Sequence, residues 1–182
     1  MKFTAQETSL PGVLLITHDF ARDERGFFAE TFREEAFAAL GLPRFVQDNH
    51  AGSIKGVLRG MHYQIRPAAI AKLVRCLRGR IFDVAVDIRP SSPGYGKWVG
   101  VELSENDGRM LYIPEGFAHG YLALTDRCEV LYKTSGYYAP QYDRGFRWND
   151  PEVAIAWPID EPLLSSKDAS SPPLSQAKNN FF

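Results

Sequence analysis

The sequence predicts an all-β protein, a sandwich or barrel of jelly-roll type with one short helix in its N-terminal third. From Phe45 to Thr134, short segments rich in β-branched and aromatic residues follow one another at regular spacing. Turn-type clusters separate them: Arg78-Gly79, Pro93-Gly94-Tyr95-Gly96, Ser104 to Gly108, and Thr125-Asp126-Arg127. Helical composition is confined to Glu34–Leu40. Regular short strands with a single early helix are the pattern of a closed or double-sheet β fold.

In chain order, Val13–Ile16 and Phe27–Phe32 read as early strands, with Ala21–Gly26 as the turn between them. Gly41 is placed to end the helix, and Pro43 follows it. The β pattern then runs through Phe45–Asn49, Val57–Gln64, Lys72–Arg78, Ile81–Ile88, Trp98–Leu103, Met110–Ile113, Gly120–Leu124 and Glu129–Thr134. From about Ser165 the chain turns to Ser, Pro and Asn, and composition alone reads this as a loose tail. No repeat or linker divides the sequence, so 1–182 reads as one domain.

Composition removes several functions. The chain has 182 residues, 45% hydrophobic and 24% charged, with a formal charge of −1. That balance gives no electrostatic reason to expect nucleic acid or an anionic membrane surface as partner. The apolar runs Val13–Ile16 and Ile81–Ile88 are far too short to span a bilayer, and Asp83 and Asp87 interrupt the second. The N-terminus lacks a long apolar segment of the secretory type. Cys76 and Cys128 each sit in a hydrophobic run, which suits buried free thiols in a reducing cytoplasm.

Two stretches concentrate polar chemistry inside apolar surroundings. The first is Gly56-Val-Leu-Arg-Gly-Met-His-Tyr-Gln64. On a strand, Leu58, Gly60, His62 and Gln64 share one face, and Arg59, Met61 and Tyr63 the other. The second runs from Gly108 through Pro114, Gly116 and His119 to Tyr121. By the same alternation Lys72, Val74 and Cys76 share a side, as do Cys128, Val130 and Tyr132, and His119 with Tyr121. Periodicity leaves open whether these polar side chains line a pocket or face water.

The spacing of these stretches resembles the paired motifs of the cupin superfamily. Gly56 is followed after five residues by His62-Tyr-Gln64, and Lys72 by six residues and Gly79. Gly108, five residues, Pro114-x-Gly116, two residues and His119 match the second motif throughout. A metal-binding cupin carries a second histidine where Gln64 stands and a glutamate where Lys72 stands. An ammonium repels a divalent cation and an amide is a weak ligand for Zn or Fe, so no catalytic metal is expected. Histidine takes protons near neutral pH, a lysine stabilises an enolate oxygen, and a tyrosine returns a proton. That set suits proton removal from carbon beside a carbonyl better than nucleophilic catalysis. His18 and His50 have no comparable context.

A longer collinear series resembles the dTDP-4-dehydrorhamnose 3,5-epimerases. It includes Arg25-Gly-Phe-Phe28-Ala-Glu30, Gln47-Asp-Asn49, Arg59-Gly-Met-His62, Lys72-Leu-Val-Arg, Ile113 to His119, Tyr132, Tyr138 and Lys167-Asp168, and spans about residues 10–175. The resemblance implies a cupin-type jelly roll that is a cofactor-free homodimer acting on a dTDP-keto-sugar. It implies His62 as base, Asp168 as its orienting acid, Lys72 beside the C4 enolate oxygen and Tyr132 as proton donor on the opposite face. It assigns Arg25 and Arg59 to the pyrophosphate, and Phe28 and Tyr138 to the thymine ring. Glu30, Gln47, Asn49, His119, Asp143 and Lys167 are the remaining substrate contacts it implies. Arg25 and Phe28 are expected to act across the dimer, and the segment carrying Asp168 to fold over the pocket, against its composition. Asp143 and Ile70 depart from the residues common in that family, where glutamate and glutamine are usual. Other readings are a single-centre epimerase, a 3,4-ketoisomerase, a silent nucleotide-sugar binding module and a metal-dependent cupin.

Overall fold

The computed structural model describes residues 2–182. In chain order its elements are β1 (Phe3–Glu7), β2 (Leu14–His18), β3 (Ala21–Asp23), β4 (Gly26–Phe28), α1 (Glu34–Ala39), β5 (Gln47–Ser53), β6 (Leu58–Gln64) and β7 (Lys72–Arg78). There follow β8 (Arg80–Asp87), β9 (Trp98–Ser104), β10 (Arg109–Ile113), β11 (Phe117–Ala123), β12 (Cys128–Thr134), β13 (Asp143–Gly145) and α2 (Ser166–Ala169). Two larger sheets form, six strands in the order β1-β2-β10-β7-β12-β5 and five in the order β13-β6-β11-β8-β9. The pairings within them are antiparallel.

Period-two alternation explains how three apolar layers arise from these strands. Val74, Cys76, Leu111, Val130 and their neighbours from the six-stranded sheet meet Ile81, Ala85, Leu103 and Phe117 from the five-stranded sheet in the central core. The outward residues of β8, Val84 and Val86, join Met61 and Tyr63 beneath Phe146, Leu174 and Phe181. On the other outer face Ile16, Leu73 and Met110 are covered by Phe37 of α1. Both faces of each sheet are therefore buried over much of their area, and β8 reads as an almost continuous apolar run for that reason.

Most boundaries agree with the sequence reading to within a few residues, and the differences have local causes. Helix α1 ends as expected: Gly41 takes φ +79° and its N–H bonds the Ala38 carbonyl at 2.9 Å. Phe27–Phe32 is not one strand. Only Gly26–Phe28 pairs, and its partner Ala21–Asp23 lies in the segment read as a turn. The Asp23 carboxylate accepts from the Arg25 N–H at 2.9 Å and closes this tight hairpin. Strand β1 lacks an apolar period, since Phe3 alone of its residues is buried, and it is held by pairing to β2.

The C-terminal segment is not loose. The Leu58 N–H donates to the Leu163 carbonyl (3.0 Å), and the Leu163 N–H to the Gly56 carbonyl (2.8 Å). Further on, the Tyr63 hydroxyl donates to the Lys178 carbonyl at 2.9 Å, and Phe181 is buried. Leu174 and Phe181, spaced far apart, are both buried against the outer apolar layer, which composition averages away.

Candidate active site

The inward-facing residues divide the interior between the sheets into an apolar part and a polar part. On β7 the inward row runs from Lys72 to Val74 and Cys76, and on β12 from Tyr132 to Val130 and Cys128; the aliphatic and thiol groups belong to the core. At the polar end lies a cavity of about 450 Å³ lined by His62, Lys72, His119, Tyr121, Tyr132, Arg59 and Asp168, among others. A second, of about 380 Å³, is lined by Gln47, Asn49, Tyr138, Asp143 and Ile70. His62, Lys72 and Tyr132 line both, so the two spaces meet at these three side chains.

Strict alternation on β6 places Arg59 on the face away from His62, yet both line the first cavity. The cause is a bulge. Pairing with β11 runs His119↔His62 and then Tyr121↔Arg59, so β6 spends one more residue than its partner at Gly60-Met61. Gly60 takes φ +140°, and a Cβ there would lie 2.5 Å from the Gly120 Cα. A Cβ on Gly120 would in turn come within 2.7 Å of the Met61 sulfur. Two glycines thus let the strands close on each other while Arg59 and His62 both turn inward.

His62 Nε2 lies 2.6 Å from Asp168 Oδ1. Asp168 sits in α2 and is buried, and Ser165 caps the turn by accepting the Asp168 N–H at 3.1 Å. Burial opposes the carboxylate charge, but hydrogen bonding and charge from His62, with help from Ser165 and the Gly60 N–H, hold the Asp168 pKa below the ordinary carboxylate value. An anionic Asp168 accepts from Nε2–H, which leaves Nδ1 of the neutral ring as the basic nitrogen.

Lys72 is half-buried beside this pair. Desolvation pulls its ammonium pKa down to about 8, against the raising influence of Asp143 and Asp83. Its Nζ lies 5.9 Å from the centre of the Tyr132 ring. Burial raises the Tyr132 pKa, so its phenol is protonated at neutral pH. His119 belongs to a second pair, with Nε2 at 2.7 Å from Asp83 Oδ1. Desolvation lowers the His119 pKa, and Lys72 and His62 act in the same direction while Asp83 opposes them. Asp83 escaped the sequence reading, where it figured only as a break in an apolar run. Its position between inward Ile81 and Ala85 was the available signal.

Arg59 is braced at the rim, donating from Nε to Ser53 Oγ (3.1 Å) and from Nη2 to the Gly52 carbonyl (3.0 Å). Gln47 donates to Asn49 Oδ1 at 3.0 Å and accepts from the Tyr138 N–H at 3.0 Å. The Tyr138 hydroxyl donates to Asp143 at 3.3 Å, and Lys167 forms an ion pair with the same carboxylate. Arg25, Phe28 and Glu30 line neither cavity. Arg25 is 84% exposed and pairs with Asp23, Phe28 is 69% exposed, and Glu30 pairs with Arg33 at 3.5 Å.

Gln64 is buried and its amide is committed. It donates to the carbonyls of Ala68 (2.6 Å) and Tyr137 (3.2 Å) and accepts from the Ala139 N–H (2.7 Å). Two imidazoles each bonded to a carboxylate, next to an ammonium, form a donor set poorly suited to a divalent cation and well suited to proton transfer.

Fold and site together define an acid–base isomerase built on a cupin-type jelly roll. The chain belongs to the dTDP-4-dehydrorhamnose 3,5-epimerase family, whose model matches residues 7–176. It is 54% identical over 164 residues to the dTDP-4-dehydrorhamnose 3,5-epimerase of Shigella flexneri, covering 89% of this chain and 91% of that one. The enzyme of the same name from Methanothermobacter thermautotrophicus is 50% identical, with 96% of each chain covered. Among solved structures, the dTDP-6-deoxy-D-glucose-3,5-epimerase of Legionella pneumophila in complex with dTDP-4-keto-L-rhamnose superimposes with a TM-score of 0.92. It is 43% identical, and the match covers 96% of this chain and 94% of that one.

Proposed function

We propose that this chain epimerises C3 and C5 of dTDP-4-dehydro-6-deoxy-D-glucose, giving dTDP-4-dehydro-L-rhamnose, with the whole chain serving as one domain. The observation that carries the catalytic assignment is the His62–Asp168 pair, 2.6 Å apart and open to a cavity shared with Lys72 and Tyr132. The C4 ketone acidifies the hydrogens on both flanking carbons. His62 Nδ1 takes one of them, and the electron pair moves onto the C4 oxygen as an enolate. Asp168 holds the ring in the required tautomer and stabilises the imidazolium. The Lys72 ammonium stabilises the enolate oxygen. Tyr132 donates its proton to the same carbon from the opposite face, which inverts it. Solvent then restores the phenol and the neutral imidazole, and the sequence repeats at the second carbon. Each step moves a proton, so the reaction balances without a redox cofactor.

The binding roles are those the resemblance implies, and the lining of the two cavities supports them for the residues found there. Arg59 takes the pyrophosphate, since a guanidinium fork suits phosphate oxygens. Tyr138 stacks on the thymine, and Gln47, Asn49, Asp143 and Lys167 complete the second cavity around the nucleotide and sugar. His119, backed by Asp83, bonds a sugar oxygen. The exposure of Arg25 and Phe28 on a projecting hairpin supports a homodimer in which they, with Glu30, complete the neighbouring subunit's site. Among the described residues no helix is long and apolar enough to cross a membrane, and the two buried free thiols suit the cytoplasm.

Proton NMR of the substrate incubated with the protein in deuterium oxide tests the activity. Deuterium at both C3 and C5 is expected; label at one carbon alone makes the protein a single-centre epimerase, and none leaves a binding module.

A further inference from the structure

Tyr138 presents a difficulty as a binding group. The residue is 58% exposed, and the one hydrogen bond found for its hydroxyl among the described residues, to Asp143, is long at 3.3 Å. An exposed aromatic side chain on a loop is free to adopt several orientations, and a stacking platform that must first be ordered binds weakly. The backbone removes that freedom here. The peptide unit before Tyr138 is held at both ends: its carbonyl, on Tyr137, accepts from Gln64 Nε2, and its N–H donates to Gln47 Oε1. The peptide unit after it is held through the Ala139 N–H, which donates to Gln64 Oε1 at 2.7 Å. Both peptide planes flanking Tyr138 are thus bonded to glutamine side chains, which fixes its backbone dihedrals and the direction of Cβ.

Gln64 is the central member of this clamp. It is 4% exposed, so its amide has no solvent to fall back on. Its third bond, to the Ala68 carbonyl at 2.6 Å, ties in the segment that leads past Ile70 to Lys72. The residue follows His62 by two on the same strand, and the β13 residue paired with it is Asp143, the partner of Tyr138 and Lys167. One amide therefore refers the aromatic platform to the strand that carries the base.

We propose that Gln64 is a positioning residue that sets the substrate-binding orientation of Tyr138, and that it governs affinity and leaves the chemical step unaffected. This rests on the assignment of Tyr138 to the nucleotide ring made above. Gln64→Glu keeps the acceptor for Ala139 but sets a carboxylate against the carbonyls of Ala68 and Tyr137. Gln64→Met removes all three bonds at similar volume.

The test measures kcat, KM and the calorimetric dissociation constant for dTDP in these variants, in Tyr138→Ala and in the double variants, with thermal melting to select the folded ones. Each Gln64 variant is expected to raise KM and the dTDP dissociation constant about tenfold with kcat within about twofold, as for a lost buried hydrogen-bond set acting on binding alone. In Gln64→Met, which adds no charge to the cavity, the kcat–pH profile stays unchanged. In the Tyr138→Ala background either Gln64 substitution adds little, because the group it positions is gone. Fold-changes that multiply in the double variants, or a fall in kcat at unchanged KM, overturn the proposal while leaving the Tyr138 assignment intact. Unchanged KM in Tyr138→Ala removes that assignment and this proposal together, whereas the deuterium experiment above judges the activity independently.

Discussion

His62 Nε2 and Asp168 Oδ1 meet at 2.6 Å although 106 positions separate them in the chain. The pairing depends on α2 being capped by Ser165 and on the segment after Gly145 returning across β6. An asparagine at 168 has one oxygen where aspartate has two; with that oxygen kept for the Gly60 N–H, its amide N–H faces Nε2 and favours the tautomer with its proton on Nδ1. Asp168→Asn is therefore expected to lower kcat about 10³-fold with dTDP binding retained. Steady-state kinetics and calorimetry check this, and binding lost in step with kcat points instead to a structural role.

Lys72 gives the pH dependence a sign. Its ammonium is the active form and its pKa is depressed to about 8, so the active fraction is lost as pH rises through that value. The kcat/KM profile, which reports the free enzyme, is expected to fall on its alkaline side with an apparent pKa near 8. Lys72→Arg keeps the charge at all accessible pH, so its residual activity, however low, should lack that limb.

Tyr132 should separate exchange from inversion. Tyr132→Phe keeps the ring next to Lys72 but removes the phenolic proton. His62 still removes and returns hydrogen on one face, so solvent deuterium enters with configuration retained. Epimerised product falls about 10²-fold or more. NMR of the recovered sugar distinguishes the two, and undiminished inversion would remove Tyr132 from its role.

Gly60 is a stability prediction with a functional consequence. A Cβ there lies 2.5 Å from the Gly120 Cα, at a φ that side chains rarely adopt. Gly60→Ala is expected to cost about 3 kcal/mol and to lower Tm by about 10 °C. Any folded fraction should be impaired in kcat, because the bulge aims both Arg59 and His62.

Much of the fold was legible because alternation sorted the strands' two faces and glycines marked the turns. That Lys72, Val74 and Cys76 share a side, as do Cys128, Val130 and Tyr132, was readable from spacing; that both rows face inward was not. What escaped depends on contacts that spacing does not encode. Alternation put Arg59 with Met61 and Tyr63, because a bulge changes the count without an obvious mark beyond Gly60. Composition called the tail loose, since a few anchoring residues such as Leu174 and Phe181 do not alter an average. Asp83 looked like an interruption of an apolar strand and is the partner of a buried histidine. Gln64 was read for what it cannot ligate, while its actual bonds are to backbone of the loop that follows its strand and of the distant loop at Tyr137 and Ala139.

The central claim is that one base serves both carbons. The most direct measurement is the rate of deuterium incorporation at C3 and at C5, followed by NMR, in the wild type and in His62→Asn. Both rates are expected to fall together by at least about 10³-fold, with dTDP affinity preserved. Exchange that persists at either carbon in His62→Asn would contradict the account and require a second base.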